Sequence, residues 1–296
     1  MKRVLVVIAI LLISLLGNAA AQAGTVNSGR DRAPKAPVDA CGSQPLKADG
    51  SRWVCTFDDE FNGVALDRTK WIPQTTGFTT GTSQVHACYV DDPANISVRR
   101  GKLWLTVRQL GQPAPCASDP SQAPSPYTSG SVSTYHLFSQ QYGRFQARIK
   151  VAATRSPGLQ ETFWLWPDDR VGSVMAWPAN GEIDVVETYS QHSDLGIPFL
   201  HYTANDNGGP IPGTNTAWNC AARRGVFNTW TLVWSPTRLR IMVNGSTCMV
   251  NTSGHDAFKK PYIAAFTQAL GAAGNVYDGR APIPATMKVD YLRVWE

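Results

Sequence analysis

The run Leu239-Arg240-Ile241-Met242-Val243-Asn244-Gly245-Ser246-Thr247-Cys248-Met249-Val250 decides the fold class. Two strand-like segments flank an Asn-Gly pair. The hairpin turn that matches strand twist needs positive φ at both central residues, and Asn and Gly meet that need with least strain. The run therefore predicts an antiparallel hairpin. Working outward, Trp230, Leu232 and Trp234 share one face, and Phe145, Ala147, Ile149 and Val151 alternate with Gln146, Arg148 and Lys150. Leu103, Leu105 and Val107 alternate with Trp104, Thr106 and Arg108. Period-two alternation is the mark of strands with one buried face. No segment carries a sustained helical period with caps, and Gly and Pro punctuate short strands throughout. The chain reads as all-β, a sandwich of two antiparallel sheets. Gln112 to Pro126 and Asn205 to Thr216 read as long loops, and no break in composition divides the chain into two domains.

The N-terminus has the layout of a secretory signal, residues 1–23. Lys2 and Arg3 precede an apolar run from Val4 to Leu16, and Ala21-Gln22-Ala23 forms an A-x-A cleavage site. The apolar run is too short to span a bilayer. The expectation is a secreted, extracellular protein with no membrane contact after cleavage; an uncleaved anchor is the alternative. Residues 24–45, polar and Pro/Gly-rich, read as a flexible lead-in, with the folded domain at 46–296. Six cysteines, Cys41, Cys55, Cys88, Cys116, Cys220 and Cys248, follow the signal. An even count behind a signal suggests three disulfides. Pairing of sequence neighbours (41–55, 88–116, 220–248) is expected, each stapling one loop or hairpin. A zinc site competes poorly, since there is no C-x-x-C pair and the five histidines lack ligand spacing.

The formal charge of +5 drops by two when Lys2 and Arg3 leave, and the basic residues form no long run. Nucleic acid is not an implied partner. Low charge with ten tryptophans and nine tyrosines suits a neutral polyhydroxylated ligand, because aromatic faces stack on sugar C–H surfaces. Core packing explains aromatic residues equally well.

The chemistry concentrates in Gly181-Glu182-Ile183-Asp184-Val185-Val186-Glu187. Two of only five glutamates flank an aspartate there, within one β-branched run. Strand parity puts Glu182 and Asp184 on one face and Glu187 on the other. One extra residue near Val185-Val186, accommodated as a β-bulge, would return Glu187 to the face of the other two. Two carboxyl groups so placed suit retaining glycoside hydrolysis, which needs a separation of about 5–5.5 Å. Asp184 between them would hold their protonation states apart. A solvated acidic edge strand is the plain alternative.

Glu182-Ile183-Asp184-Val185-Val186-Glu187 resembles the E-x-D-x-x-E signature of glycoside hydrolase family 16 in its bulged, laminarinase-like form. Ordered matches run along nearly the whole mature chain. They include Phe57-Asp58-Asp59-Glu60-Phe61-Asn62-Gly63, Asn95-Ile96-Ser97-Val98, Tyr142 to Lys150, Phe163-Trp164-Leu165-Trp166-Pro167, Trp177-Pro178 and Val289 to Trp295. The resemblance implies a β-jelly-roll with a concave substrate cleft, cutting internal β-linkages with retention. It implies Glu182 as nucleophile, Glu187 as general acid/base and Asp184 as the assisting carboxylate. Trp164 and Trp177 would stack on sugars in the negative subsites. Asn95 and Arg108 would hydrogen-bond sugar hydroxyls there, and His201 would sit near the reacting centre. Trp166 and Trp234 read as core. His201 alone would be an ordinary structural histidine, and Arg108, opposite Leu103, Leu105 and Val107, reads equally as solvated. Catalysis needs no cofactor. Some members hold a structural calcium on the convex side, to which Asp290 and the Gly101 carbonyl would contribute oxygen ligands. Glu161 is assigned no role.

The expected protein is a secreted, monomeric endo-glycosidase acting on a polysaccharide, β-1,3-glucan first. Mixed-linkage glucanase, β-galactan hydrolase, transglycosylase and a non-catalytic glucan-binding lectin are the competing readings.

Overall fold

A computed structural model describes residues 38–76, 86–116, 124–171, 176–203, 215–271 and 274–296. The signal segment and residues 24–37 lie outside these. The described strands begin with β1 (Val38–Asp39), β2 (Gly42–Ser43), β3 (Cys55–Asp59), β4 (Ile72–Pro73), β5 (Cys88–Tyr89) and β6 (Ile96–Val98). They continue with β7 (Leu103–Ala114), β8 (Ser125–Ser129), β9 (Ser131–Ser133), β10 (Gly143–Lys150), β11 (Leu159–Pro167) and β12 (Glu182–Tyr189). The last are β13 (Leu195–His201), β14 (Cys220–Ala221), β15 (Phe227–Ser235), β16 (Arg238–Val243), β17 (Ser246–Asn251), β18 (Tyr262–Leu270) and β19 (Ala285–Trp295).

Two large sheets result. A ten-stranded sheet runs β17-β16-β15-β10-β19-β7-β8-β5, with β3 on β19 and β6 on β7; a seven-stranded sheet runs β14-β13-β12-β11-β18-β9-β4. Pairing is antiparallel except for the two-residue β5–β8 contact. The hairpin forms where the Asn-Gly pair places it: Val243 pairs with Ser246, and Asn244 and Gly245 take φ of 49° and 85°.

The core lies between the sheets. From the ten-stranded sheet come Leu103, Leu105, Phe145, Ala147, Trp230, Leu232 and Trp234; Phe163, Leu165, Ile183, Leu200 and Phe266 meet them from the other sheet. The alternation read in the sequence is thus the alternation of core and solvent. Burial of one large apolar side chain stabilises by about 1.5–3 kcal/mol, so register is strongly specified.

Three disulfides join Cys41–Cys55, Cys88–Cys116 and Cys220–Cys248, the expected pairing. One expectation needs correction. Residues 38–45, read as part of a flexible lead-in, form the β1–β2 hairpin, with Cys41 only 1% exposed. The Asp39 carboxylate accepts from the backbone N–H of Cys41 and of Cys55, and the disulfide makes this hairpin part of the domain. Among the described residues, no helix is long and apolar enough to cross a membrane.

Candidate active site

Strand β12 enters from Gly181, whose φ is +91° and whose missing Cβ would fall 2.1 Å from the Tyr262 hydroxyl. Glycine there lets Glu182 begin the strand against that hydroxyl. Ile183 points into the core and Asp184 away from it. Parity then breaks. On the β11 side Trp164 pairs with Asp184 but Phe163 pairs with Val186. On the β13 side Phe199 pairs with Asp184 and Ile197 with Glu187. The extra residue is Val185, and both Val185 and Val186 are buried. The bulge sits where strand parity requires it, and Glu182, Asp184 and Glu187 all face away from the core.

Each carboxyl group has its own partners. Trp177 Nε1 donates to Glu182 Oε2 at 2.8 Å. Glu187 Oε1 accepts from Gln160 Nε2 at 2.7 Å and from the Tyr189 hydroxyl at 3.0 Å, and among the described residues Oε2 has no hydrogen-bond partner. His201 Nε2 lies 3.3 Å from Asp184 Oδ2, and its buried Nδ1 has no partner among the described residues. The Trp177 ring lies 5.0 Å from that of His201.

Burial dominates the electrostatics. It pushes the Glu182 acid up to about 8, with the Asp184 charge adding to the effect and the His201 ring and Trp177 N–H opposing it. Burial and then the Glu187 charge push Asp184 well above the usual carboxylate range. Burial also raises Glu187, against the donors Tyr189 and Gln160. Three such groups cannot all ionise together. Ionising one strengthens the others' hold on their protons, and a pair with one anion and one acid is what double displacement requires. Glu182, the residue the resemblance names as nucleophile, is itself held toward its acid form in the free protein. The Trp177 N–H and the His201 ring are the groups that favour its anion.

A raised carboxyl in the native state means the native state binds more protons than the unfolded chain above the ordinary glutamate value of 4.5. Stability is then present in full below that value and is lost as pH rises through about 8. Melting temperature is expected to fall between about pH 5 and about pH 8, and to fall less in Glu182→Gln. Parallel pH profiles for the two proteins would refute this.

The other expected site residues divide. Trp164, on the Glu182/Asp184 face, donates its Nε1 to Thr267 Oγ1 at 3.0 Å. Trp166, read as core, is half-buried on that same face, two residues from Trp164 with its ring edge-on to it; strand parity puts it at the cleft. Trp234 is core, at 2% exposure. Among the described residues, neither Asn95 nor Arg108 bonds to the carboxylates. Asn95 is buried, donates to the Thr106 carbonyl and accepts from Thr128 Oγ1, bracing β7 against β8. Arg108 is exposed on the ten-stranded sheet, on the face opposite Leu103, Leu105 and Val107.

The calcium expectation meets a poor fit. Asp290 sits in a second bulge, where β10 shifts its register on β19 between Arg148 and Ile149. Its Oδ1 lies 3.0 Å from Lys102 Nζ and its Oδ2 2.5 Å from Arg148 Nη1. Two cations already occupy the carboxylate, and a divalent ion needing six to eight oxygen ligands would be repelled beside the Gly101 carbonyl.

Sequence reading left Glu161 without a role. It is 1% exposed and accepts from both terminal nitrogens of Arg224 at 2.8–2.9 Å and from Thr188 Oγ1 at 2.7 Å.

Comparison with known proteins agrees with this geometry. Residues 76–293 match the model of glycosyl hydrolases family 16. The chain is 28% identical to glucan endo-1,3-beta-glucosidase A1 of Niallia circulans over 81% of its own length and 37% of that protein's. It is 28% identical to a keratan-sulfate endo-1,4-beta-galactosidase of Sphingobacterium multivorum over 81% of its own length and 54% of that protein's. It thus spans only about a third to a half of these relatives. The laminarinase of Rhodothermus marinus superposes with a TM-score of 0.70 at 25% identity, covering 82% of this chain and 97% of that one. With the family model matching well over half its length, and its three carboxylates gathered on one sheet face by a bulge, the chain belongs to glycosyl hydrolases family 16.

Proposed function

We propose that this protein is a secreted, retaining endo-hydrolase of a neutral β-glucan, with β-1,3 linkages as its main target. The observation that carries the neutral substrate is the composition of the sheet bearing the carboxylates. None of its seven strands contains a lysine or arginine. The ten-stranded sheet carries Arg144, Arg148, Lys150, Arg238, Arg240, Lys288 and Arg293 on three strands alone. A sulfated or uronic polymer laid over paired carboxylates would need cations to offset repulsion. This face offers the half-buried Trp166 and the exposed Trp177 instead, with Trp164 8% exposed beside Trp166.

Glu187 protonates the glycosidic oxygen while Glu182 attacks the anomeric carbon from the opposite face. Glu187 then removes a proton from water, which displaces Glu182 and restores the starting anomer. The 1–23 segment and three disulfides support secretion into an oxidising compartment, where the enzyme acts as a monomer.

A digestion panel of laminarin, lichenan, agarose and desulfated galactan, with NMR of the first-formed anomer, tests this reading. Laminarin should be cut fastest and give the β-anomer first. Cleavage confined to galactan would move the substrate class, an α-anomer first would exclude the mechanism, and binding without cleavage would leave a lectin.

A further inference from the structure

The cations missing from the catalytic sheet gather on the outer face of the other one. A row of side chains crosses that sheet from strand to strand. Phe227 of β15 pairs with Lys150 of β10, Lys150 with Lys288 of β19, and Lys288 with Trp104 of β7. All four face outward, because their strand neighbours Asn228, Ile149, Val289 and Leu103 are buried. Two lysines placed directly opposite each other repel. Both β10 and β19 are interior strands, so these lysines do not guard an edge. The turn between β6 and β7 adds to the charge. It carries Arg99, Arg100 and Lys102, and Arg100 holds φ at 54°, where Asn would sit with less strain. The Trp104 ring has Lys288 Nζ 3.8 Å and the Arg99 guanidinium 4.2 Å from its centre. At the far end of the row the Arg148 guanidinium lies 4.3 Å from the centre of the Phe227 ring.

The patch holds a single carboxylate of its own, Asp290, and Lys102 and Arg148 already grip it. Among the described residues, Arg99, Arg100, Lys150 and Lys288 pair with no acidic side chain. Burial and then the charges of Lys150, Arg99, Arg100 and Lys102 hold Lys288 below the usual lysine range, the mark of positive charge without compensation. We propose that this face binds an acidic polysaccharide, a linear polyuronate with one carboxylate on each sugar, and so moors the protein with its catalytic cleft left open. Charge complementarity selects the partner. Asp290 shows that the side chains here close on a carboxylate, and paired strands set the two lysines about 5 Å apart, a spacing that suits anions repeated along an extended polymer. A lipid surface fits less well, because none of the exposed large apolar side chains lies on β7, β10 or β19 to enter it. The catalytic carboxylates face outward from the seven-stranded sheet, on the other side of the core, so a polymer on this face does not cover them. The mooring does not depend on the hydrolase reading.

Dye-tagged polygalacturonate, titrated with the full-length protein and followed by fluorescence anisotropy, tests this. Binding at about 0.1 M salt should saturate, and should weaken steadily toward about 1 M as screening shortens the reach of each charge. Lys150→Ser/Lys288→Ser should raise Kd roughly tenfold. Its melting temperature should hold or rise, because a like-charge pair is gone. Arg238→Ser/Arg240→Ser is the control, taking the same charge from the same sheet. Arg240 pairs with Val233, which pairs with Arg144 at the opposite end of β10 from Lys150. That is about 20 Å away, beyond the Debye length of about 10 Å at 0.1 M, and Kd should stay within about twofold of wild type. Equal losses in the two double variants would mean that net charge alone acts, and would overturn the patch. So would the absence of saturable binding by wild type. Tighter binding of anionic vesicles or duplex DNA than of polygalacturonate at matched charge would overturn the choice of partner. All three proteins should cut laminarin equally; failure of wild type to cut it would overturn the hydrolase and leave the mooring in place.

Discussion

Replacing Glu182 with alanine is expected to reduce turnover of laminarin by roughly four to six orders of magnitude, the scale seen when a covalent nucleophile is removed. Folding should be unaffected. The Glu182 carboxyl is raised by burial, so near neutral pH folding must draw a proton onto it; its removal lifts that cost, and the melting temperature should hold or rise. Azide then separates the roles. In Glu182→Ala it enters the space the carboxylate vacated and displaces an activated leaving group once, giving the α-glycosyl azide. In Glu187→Ala, Glu182 still forms the α-linked intermediate from a glycosyl fluoride, and azide attacks the opposite face, giving the β-glycosyl azide. Natural substrates, whose leaving group needs a proton, should lose about 10²–10⁴ in rate in that second variant. The same anomer from both variants, or Glu182→Ala active within tenfold of wild type, would remove the assignment. The result also bears on the bulge. Opposite stereochemistry demands that both glutamates reach the same sugar from opposite sides, which a regular strand through Val185 and Val186 would forbid.

How much of this was legible depended on how local the cause was. The alternation at Phe145 to Val151 and the Asn244-Gly245 turn are set by residues a few positions apart, so pattern reveals them directly. The bulge had no local signature of its own. It followed from asking what parity does to 182, 184 and 187, and chemistry supplied the demand. Trp166 was misread although its signal was present. It stands two residues from Trp164 and must share that face, but an apolar Phe-Trp-Leu-Trp run reads as buried on both sides. Arg108 reads two ways: its parity against Leu103, Leu105 and Val107 points away from the core of the ten-stranded sheet, while the family resemblance implies a place at the negative subsites. Lys102 beside Gly101 hinted at competition for Asp290, yet the second cation, Arg148, arrives only through cross-strand pairing.

The Glu161–Arg224 pair was illegible because its partners are 63 residues apart in sequence, and it carries the largest expected effect on stability. Glu161 faces the core from β11, directly beside Thr162, which pairs with Glu187. Its carboxylate also accepts from Thr188 of β12 and Gln268 of β18. Arg224 approaches from the connection into β15 and donates its Nε to the Ala152 carbonyl just past β10. The pair therefore ties the catalytic strand and its neighbours to the opposite sheet. Both side chains are almost fully buried, at 3% and 1% exposure. Removing one partner strands the other's charge in a medium that cannot solvate it. Arg224→Met should cost about 3–5 kcal/mol, a fall of roughly 6–20 °C in melting temperature for a domain of this size. Glu161→Leu should cost a similar amount. The double variant should be more stable than either single one, because no charge is left unpaired, and Thr188 and Gln268 keep backbone carbonyls to donate to. Additive losses would mean that the two residues act independently and that the pair is no staple. Activity sharpens the distinction. If the pair holds β12 in register beneath Glu187, the single variants should lose kcat at temperatures well below their melting points, while the double variant recovers it together with stability.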